Sequence, residues 1–282
     1  MSTASAAASS GNIGPGFDVL ALALGLRCSV TAREADEWSV AHRTALAPPV
    51  GAEDLALDTA RKLADRPLAL EVTNEIPLGK GLGSSSAVRA AAAAATWRAC
   101  GVSADADRVF HHVAEIEGHP DNAAAAVFGG LVAVTTAGDP LPLPLSSRWR
   151  VVLAIPDGVL PTKEARGILD DTIPRPVVVR SLARLTALLE GLRSGDGDVL
   201  AAATWDELHE APRARLNPIA DDLIRAARDA GAPHAAWSGA GPSVIAFVAV
   251  DSVDAVAAAL RSTMGDGDVR VMDVDTTGLV CP

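Results

Sequence analysis

The sequence lacks several features that mark other classes of protein. Tyrosine is absent, aromatic residues make up 3% of the 282 residues, and only 3 cysteines occur. Cys28, Cys100 and Cys281 are scattered and odd in number, so neither a disulfide framework nor a cysteine metal site is indicated. Reduced thiols in a cytoplasm are the simplest interpretation, and we expect a cytoplasmic protein.

Positive charge and long apolar stretches are also scarce. The formal net charge is −11 and the pI is about 4.9, so no basic surface is expected to collect nucleic acid or an anionic membrane. The longest largely apolar stretch, residues 90–97, is far too short to span a membrane. The Ala/Ser-rich start has no basic region and no apolar core, so no signal peptide is expected. We therefore predict neither a nucleic-acid partner nor a membrane partner.

The sequence does contain enough apolar residues, 49%, for a full core in one large or two modest domains. Hydrophobic periodicity predicts strands at 22–31, 68–73, 131–135, 151–155, 243–250 and 269–274. It predicts helices at 53–63, 85–99, 105–117, 178–192, 199–209, 218–230 and 253–263. Residues 138–144, Gly-Asp-Pro-Leu-Pro-Leu-Pro, are turn-prone and mark a predicted boundary between domains 1–140 and 141–282. Both halves mix α and β structure, and a cleft between them is the expected ligand site.

A glycine-rich segment gives the strongest local signal. Residues 77–87 read Pro-Leu-Gly-Lys-Gly-Leu-Gly-Ser-Ser-Ser-Ala and stand between a predicted strand and an alanine-rich helix. Glycines let backbone N–H groups approach a phosphate closely, and the helix adds its positive N-terminal end. The serines would supply N-caps and a hydroxyl for Mg²⁺. Phosphate binding is therefore favoured over the other interpretation, a tight turn with an ordinary serine cap.

The glycine spacing excludes two familiar nucleotide motifs. A Walker loop needs a Gly-Lys-Ser/Thr ending, which is missing. A dinucleotide fingerprint needs a different spacing from that of Gly79, Gly81 and Gly83. A nicotinamide oxidoreductase is therefore not expected.

Three motifs in order resemble those of the GHMP kinases, the family of galactokinase, homoserine kinase, mevalonate kinase and phosphomevalonate kinase. They are the glycine-rich segment, residues 10–18 (Ser-Gly-Asn-Ile-Gly-Pro-Gly-Phe-Asp) and residues 238–243 (Ser-Gly-Ala-Gly-Pro-Ser). The resemblance spans nearly the whole chain. It implies an α+β fold of two lobes, an N-terminal lobe like the second domain of ribosomal protein S5 and a ferredoxin-like C-terminal lobe.

The resemblance implies ATP and Mg²⁺ as cofactors and assigns residues to them. The residues expected at the nucleotide are Pro77, Gly79, Lys80, Gly81, Leu82, Gly83, Ser84, Ser85 and Ser86. Ser85 and Glu117 are the expected Mg²⁺ ligands. The residues 117–122, Glu-Gly-His-Pro-Asp-Asn, are similar to the homoserine kinase branch, although read alone they could be a helix end followed by an Asx turn.

The same resemblance implies a small-molecule acceptor, homoserine, and hence a step of threonine biosynthesis. Asn12, Asp121 and Asn122 are the expected catalytic residues. The expected acceptor contacts are Asn12, Asp18, His119, Asp121, Asn122, Thr162, Arg166, Arg213 and Gly239. Arg166 and Arg213 suit the acceptor carboxylate because a guanidinium fork matches it in shape. Read alone, each arginine would be an ordinary surface residue.

Several residues depart from the family pattern at the acceptor site and beside the adenine of the nucleotide. Gly11 stands where alanine is usual, Pro212 replaces a tyrosine, and Asp54 stands near the place of an asparagine beside the adenine. Two alternatives therefore stay open, a GHMP kinase for another hydroxy amino acid such as threonine, and an inactive binding protein of the same fold. A homodimer is compatible with the sequence, but no residue indicates one.

Overall fold

The computed structural model describes residues 1–49 and 51–282, which form two antiparallel-rich sheets covered by helices. The strands are β1 (Ser2–Gly11), β2 (Leu20–Glu34), β3 (Ser39–His42), β4 (Leu68–Asn74), β5 (Leu131–Val134), β6 (Pro140–Leu143), β7 (Trp149–Pro156), β8 (His234–Trp237), β9 (Val244–Ala249) and β10 (Gly267–Met272). The helices are α1 (Leu55–Leu63), α2 (Ser84–Ala99), α3 (Ala106–Glu117), α4 (Asp121–Phe128), α5 (Thr162–Gly167), α6 (Arg175–Ser194), α7 (Gly197–Ala201), α8 (Glu210–Arg213), α9 (Ile219–Asp229) and α10 (Val253–Met264). The predicted α+β class is confirmed.

The first sheet is organised around β2, whose 15 residues pair with β1, β4 and β5. Its strand order is β3-β4-β2-β5-β6, with β1 also on β2. Helix α2 lies against β1 and β2, and its alanines 90–95 are all fully buried. The alanine run therefore allows close approach of helix and sheet as well as favouring the helix. This arrangement places the start of α2 at one end of the sheet.

The second sheet has the order β10-β7-β9-β8 and is entirely antiparallel. Helices α9 and α10 cover it, and their apolar faces share a core with the strands. After β10 the chain returns to the first sheet, where Val280 bridges to Ser5. Arg98 donates to the carbonyls of Cys281 and Pro282, at 2.6 Å and 2.9 Å. The division at residue 140 stays a prediction.

Two predicted segments differ from the structure. Residues 140–143 form the edge strand β6 rather than a turn, because an edge strand tolerates prolines, whose missing N–H groups cost no ladder bond on the open side. The helix predicted at 199–209 ends at Ala201. The buried carboxylate of Asp206 accepts the N–H groups of Leu208 and His209, and this turn replaces the helix. Within the described residues, no helix is long and apolar enough to cross a membrane.

Candidate active site

One cleft of about 130 Å³ is lined by every site residue that the sequence analysis singles out, together with Ala240. It lies where the loop between β4 and α2 meets the loop after β1 and the turn after β8. The sequence motifs therefore converge in space, although they are far apart in the chain.

The glycine-rich loop requires its glycines for both conformation and space. Gly79, Gly81 and Gly83 have φ values of 66°, 71° and 65°, in the left-handed region. A Cβ on Gly81 would lie 2.1 Å from the Ser238 carbonyl oxygen, and one on Gly83 would lie 1.9 Å from Ser9 Oγ. The loop is thus held directly against the turn after β8, where the Ser238 hydroxyl donates to the Gly81 carbonyl at 2.8 Å.

Helix α2 begins without the serine cap that the sequence predicted. Gly83 is the N-cap residue, and no side chain in the described part of the chain caps the helix. The Ser84 hydroxyl is buried and has no hydrogen-bond partner among the described residues, and Ser86 is also buried. The first N–H groups of α2 therefore remain available at the cleft, which is the arrangement that binds anions. The serine N-cap was a wrong prediction because Gly83 adopts a left-handed conformation there.

The Lys80 side chain is engaged by backbone carbonyls at the end of β7 and just after it. Its ammonium donates to the carbonyls of Pro156, Asp157 and Gly158 at 2.5 Å, 2.6 Å and 2.7 Å. These contacts use all three ammonium hydrogens. Lys80 thus fastens the glycine-rich loop to the segment after β7, and in this structure only its backbone is available to a nucleotide.

Ser85, Glu117 and Arg89 meet beside the glycine-rich loop. Ser85 Oγ donates to Glu117 Oε1 in a short contact, and Arg89 Nε donates to the same oxygen at 3.0 Å. Glu117 is the last residue of α3, and Gly118 ends that helix in a left-handed conformation. In the described chain, Glu117 Oε2 accepts no hydrogen bond. A hydroxyl and a carboxylate oxygen are thus presented together, and oxygen ligands of this kind suit Mg²⁺.

Asp121 and Asn122 open helix α4 and are held by the end of β1. Asn122 Oδ1 accepts from the Ser9 hydroxyl at 2.8 Å. Asp121 is 2% exposed, and burial, followed by the nearby Asp18 charge, raises its pKa to about 6. His119 Nδ1 lies 3.9 Å from Asp121 Oδ1.

Gly11 explains how these two side chains fit. A Cβ at position 11 would lie 2.7 Å from Asp121 Oδ2 and 2.8 Å from Asn122 Nδ2. The glycine that stands where alanine is usual therefore gives these side chains space that a methyl group would occupy. In this structure, the side chains of Asp121 and Asn122 lie close to Gly11 because position 11 has no Cβ.

Asp18 and Arg166 form an ion pair across the cleft. Arg166 donates from Nη1 to Asp18 Oδ2 at 3.0 Å and from Nη2 to Oδ1 at 2.5 Å. Asn12 supports the pair, since its Oδ1 accepts from the Asp18 backbone and its Nδ2 donates to the Gly239 carbonyl at 2.8 Å. Asn12 is therefore engaged at both ends in the structure, and it orients the loop that carries Asp18.

Arg213 is a second guanidinium at the same cleft, and it is almost wholly buried, at 1% exposure. Burial, followed by the charge of Arg166, lowers its pKa to about 10, so it stays cationic near neutral pH. Thr162, the first residue of α5, lines the cleft beside Arg166. The guanidinium groups of Arg166 and Arg213 and the carboxylate of Asp18 thus line the same cleft.

A second cavity, of about 310 Å³, adjoins the glycine-rich loop. Its walls include apolar side chains from Leu46, Pro48, Leu78 and Val88. Asp54 lies there too, but its carboxylate is taken by the N–H groups that start α1 and by His42 Nε2 at 2.6 Å. Asp54 is therefore the N-cap of α1, which is a structural role.

Sequence reasoning missed several residues at this site, and their signals differ. Arg89 follows Ser85 by four positions, so helical spacing could have placed it on the same face. Phe17 lies within the motif of residues 10–18, and Ser9 immediately precedes that motif, but neither residue was assigned a role from the sequence. Their contacts are made with residues more than 100 positions away, and no local pattern encodes such pairs.

The chain matches two family models, GHMP kinases N terminal domain over residues 52–130 and GHMP kinases C terminal over residues 186–266. A homoserine kinase of Gloeobacter violaceus is 36% identical over 96% of this chain and 95% of its own length. A homoserine kinase of Solibacter usitatus is 36% identical over 85% and 83%. The crystal structure of homoserine kinase from Cytophaga hutchinsonii superposes with a TM-score of 0.86 at 26% identity, covering 99% of this chain and 96% of that one.

A glycine-rich loop at a helix start, a carboxylate and hydroxyl beside it, and matches over most of the chain agree with one another. The chain belongs to the GHMP kinase family. These three similar proteins are homoserine kinases.

Proposed function

We propose that the protein transfers the γ-phosphate of ATP to the side-chain hydroxyl of L-homoserine and so forms O-phospho-L-homoserine. The observation that carries the proposal is that Asp18, Arg166 and Arg213 line the same cleft as the glycine-rich loop. A carboxylate and two guanidinium groups complement the ammonium and carboxylate of a free amino acid. The similarity to homoserine kinases selects homoserine among such acids.

The nucleotide is proposed to lie along the glycine-rich loop. The unpaired N–H groups at the start of α2 would hold its phosphates, because the helix dipole and the N–H groups both favour anions. The adjoining cavity lined by Leu46, Pro48, Leu78 and Val88 suits a flat apolar base. With a net charge of −11, the protein depends on these local devices to bind a polyanion.

Ser85 and Glu117 are proposed to hold Mg²⁺. Magnesium usually takes one or two protein oxygens and fills its other positions with water and phosphate oxygens. The free Glu117 Oε2 and the adjacent Ser85 hydroxyl fit that pattern. When bound, the ion neutralises charge on the transferring phosphoryl group.

The acceptor is proposed to exchange partners with the ion pair in the cleft. The ammonium would take Asp18, and the carboxylate would take Arg166 and Arg213. A ligand with only one of the two charges would leave Asp18 or Arg166 without a partner, which is unfavourable in a partly buried site. This arrangement favours zwitterions over simple alcohols.

Asp121 is proposed to accept the proton of the acceptor hydroxyl, with Asn122 orienting that hydroxyl. Asp121 Oδ1 is buried and has no hydrogen-bond partner in the part of the chain that is described. Its raised pKa, about 6, makes the ionised carboxylate a better base than an exposed one. Direct passage of the proton to the γ-phosphate is the other route.

The pH dependence of kcat/KM distinguishes the two routes. If Asp121 is the base, kcat/KM for homoserine should fall about tenfold per pH unit below about 6, because the protonated carboxyl cannot accept a proton. The charges of Asp18, His119 and Arg166 also affect the pKa of Asp121. All three residues are retained in the Asp121→Asn variant. That variant should lose most of its activity and show no such limb. A variant that keeps the limb would assign it to another group.

An ADP-release assay across hydroxy amino acids tests the acceptor. Homoserine should exceed threonine by about 100-fold in kcat/KM, since the threonine hydroxyl stands one carbon closer to the charged groups and misses the phosphate by about 1 Å or more. Equal rates would favour the threonine alternative. Absence of acceptor-dependent ADP release, in a protein that binds ATP, would favour the inactive binding protein.

Cytoplasmic location and self-association stay proposals. The three cysteines are free thiols, which suits a reducing compartment. The exposed apolar side chains of Val178, Val179 and Leu182 on α6 offer a contact surface for a homodimer.

A further inference from the structure

His209 lies directly behind the acceptor end of the cleft. It is fully buried, and it precedes Arg213 by four residues. It does not line the cleft, so it cannot touch the reacting atoms. Its contacts nevertheless connect the two groups that are proposed to bind the acceptor.

The partners of His209 determine its protonation. Nε2 lies 2.8 Å from the Gly14 carbonyl oxygen, which can only accept, so Nε2 carries a hydrogen. Nδ1 lies 3.0 Å from Arg213 Nη1, which can only donate, so Nδ1 carries a lone pair. Both contacts are satisfied only by the neutral imidazole in a single tautomer.

Arg213 is fixed by three acceptors. Its Nε donates to the Ala165 carbonyl at 3.0 Å, and Nη1 donates to the Gly239 carbonyl at 3.2 Å and to His209. Within the described residues, Nη2 has no hydrogen-bond partner. Contacts at both Nε and Nη1 thus fix the guanidinium plane, and Nη2 is the donor left for a ligand.

Phe17 joins the loop that carries Asp18 to the same assembly. Its ring stacks on the His209 ring, with centroids 5.1 Å apart and planes at 23°. The guanidinium groups of Arg213 and Arg166 lie 5.5 Å and 5.8 Å from the Phe17 ring centroid. His209 therefore contacts this loop twice, through Gly14 and through Phe17, and contacts Arg213 on its other side.

Several features keep His209 in this state. Burial, followed by the charges of Arg213 and Arg166, lowers its pKa to about 3. Asp206 holds the turn by accepting the His209 N–H at 3.0 Å. Glu210, the residue after His209, is anchored because its carboxylate oxygens accept the N–H groups of Asp206 and Trp237 at 2.7 Å and 2.9 Å. The hydrogen bonds of Asp206 and Glu210 thus fix the backbone at His209, and with it the position of the imidazole ring.

We propose that His209 is a positioning residue whose Nδ1 lone pair aims Arg213 Nη2 at the acceptor carboxylate and links that arginine to the loop bearing Asp18. This inference rests on the proposed function, in which Arg213 binds the carboxylate. Since the imidazole is neutral, it orients the guanidinium without competing with the acceptor for it.

Two variants separate the two ring contacts. His209→Asn keeps an oxygen near the Nδ1 position and can still accept from Arg213, whereas His209→Gln keeps a donor near the Nε2 position and loses that acceptor. His209→Gln should raise KM for homoserine about tenfold, the usual effect of a lost hydrogen bond to a charged group. His209→Asn should stay within about threefold of the wild type in KM. For both variants, kcat and KM for ATP should change by less than about threefold.

Homoserine amide provides the control for a merely structural role. It lacks the carboxylate, so wild type and His209→Gln should turn it over equally. Suppose that wild type prefers homoserine to the amide. If His209→Gln then leaves KM for homoserine unchanged, or weakens KM for ATP and for the amide as much as KM for homoserine, the inference is overturned and the proposed function stands. If wild type does not distinguish homoserine from the amide, both are overturned.

Nitrogen NMR of the wild type, labelled in its histidine rings, tests the inference without any variant. The His209 signal, assigned by its proximity to the Phe17 ring, should show hydrogen on Nε2 only, from about pH 5 to about 9. Addition of homoserine should shift Nδ1, which lies one hydrogen bond from the occupied guanidinium. A ring protonated on Nδ1, or one that is insensitive to homoserine, overturns the proposal.

Discussion

Glu117→Gln should lower kcat by about 100-fold or more while metal-free ATP binding changes little. Loss of the carboxylate charge removes a ligand from Mg²⁺, and metal ions supply several kcal/mol of transition-state stabilisation, at about 1.4 kcal/mol per tenfold. Glutamine keeps an oxygen that can accept from Ser85 and Arg89, so the local hydrogen bonds of the free protein survive. Calorimetric titration of the protein–ATP complex with Mg²⁺ should show the weaker metal site directly.

Glu115→Gln is the matched control for this result. Glu115 lies on the same helix two residues earlier, and its side chain is exposed, so the variant removes the same charge without touching the cleft. It should retain wild-type turnover and Mg²⁺ affinity. If Glu117→Gln also keeps activity within a few-fold of wild type, Glu117 is not the ligand, and Asp121 becomes the next candidate.

Arg166→Ala should lower kcat/KM for homoserine by about ten- to a hundredfold or more. A charge-assisted bidentate contact is worth about 1.5–3 kcal/mol, and the variant also leaves Asp18 without its partner. Arg166→Lys should rescue only in part, since it keeps the charge and loses the fork. Steady-state kinetics with homoserine varied at saturating ATP would measure the effect.

The control for Arg166 is Lys163→Ala, which removes an exposed cation from the same short helix and should have little effect. Homoserine amide should be a poor substrate for wild type but lose little further in Arg166→Ala, because both changes remove one interaction. An unaffected Arg166→Ala, or an amide turned over as fast as homoserine, would show that the acceptor carboxylate is not what the protein recognises. The acceptor would then have been misread.

Local chemistry made the glycine-rich loop predictable. Gly79, Gly81 and Gly83 occupy left-handed conformations that other residues avoid, so sequence and backbone carry the same information. The periodicity of β2, β4 and α3 likewise specified these elements, and the helix propensity of alanine specified α2. The clustering of the site residues followed from the motif resemblance, which already encodes the fold.

Burial and long-range contacts explain what the sequence did not predict. The carboxylate of Asp206 ended a predicted helix because burial forced it to take backbone N–H groups. The Lys80 ammonium was captured by three carbonyls of a distant segment, and Asp18 paired with Arg166 across 148 positions. The partners of Lys80 and Asp18 are far away in the chain, so no local pattern could reveal them. The Asp206 contacts are local, but they depend on the burial of its carboxylate in the folded protein.

Phosphorus NMR of a reaction containing the protein, Mg²⁺, ATP and L-homoserine tests the central claim most directly. The account predicts a new phosphomonoester signal that grows in equal amount with ADP and is coupled to the γ-methylene protons of homoserine. Formation of ADP with inorganic phosphate alone, or no consumption of ATP in a protein shown to bind it, would contradict the account.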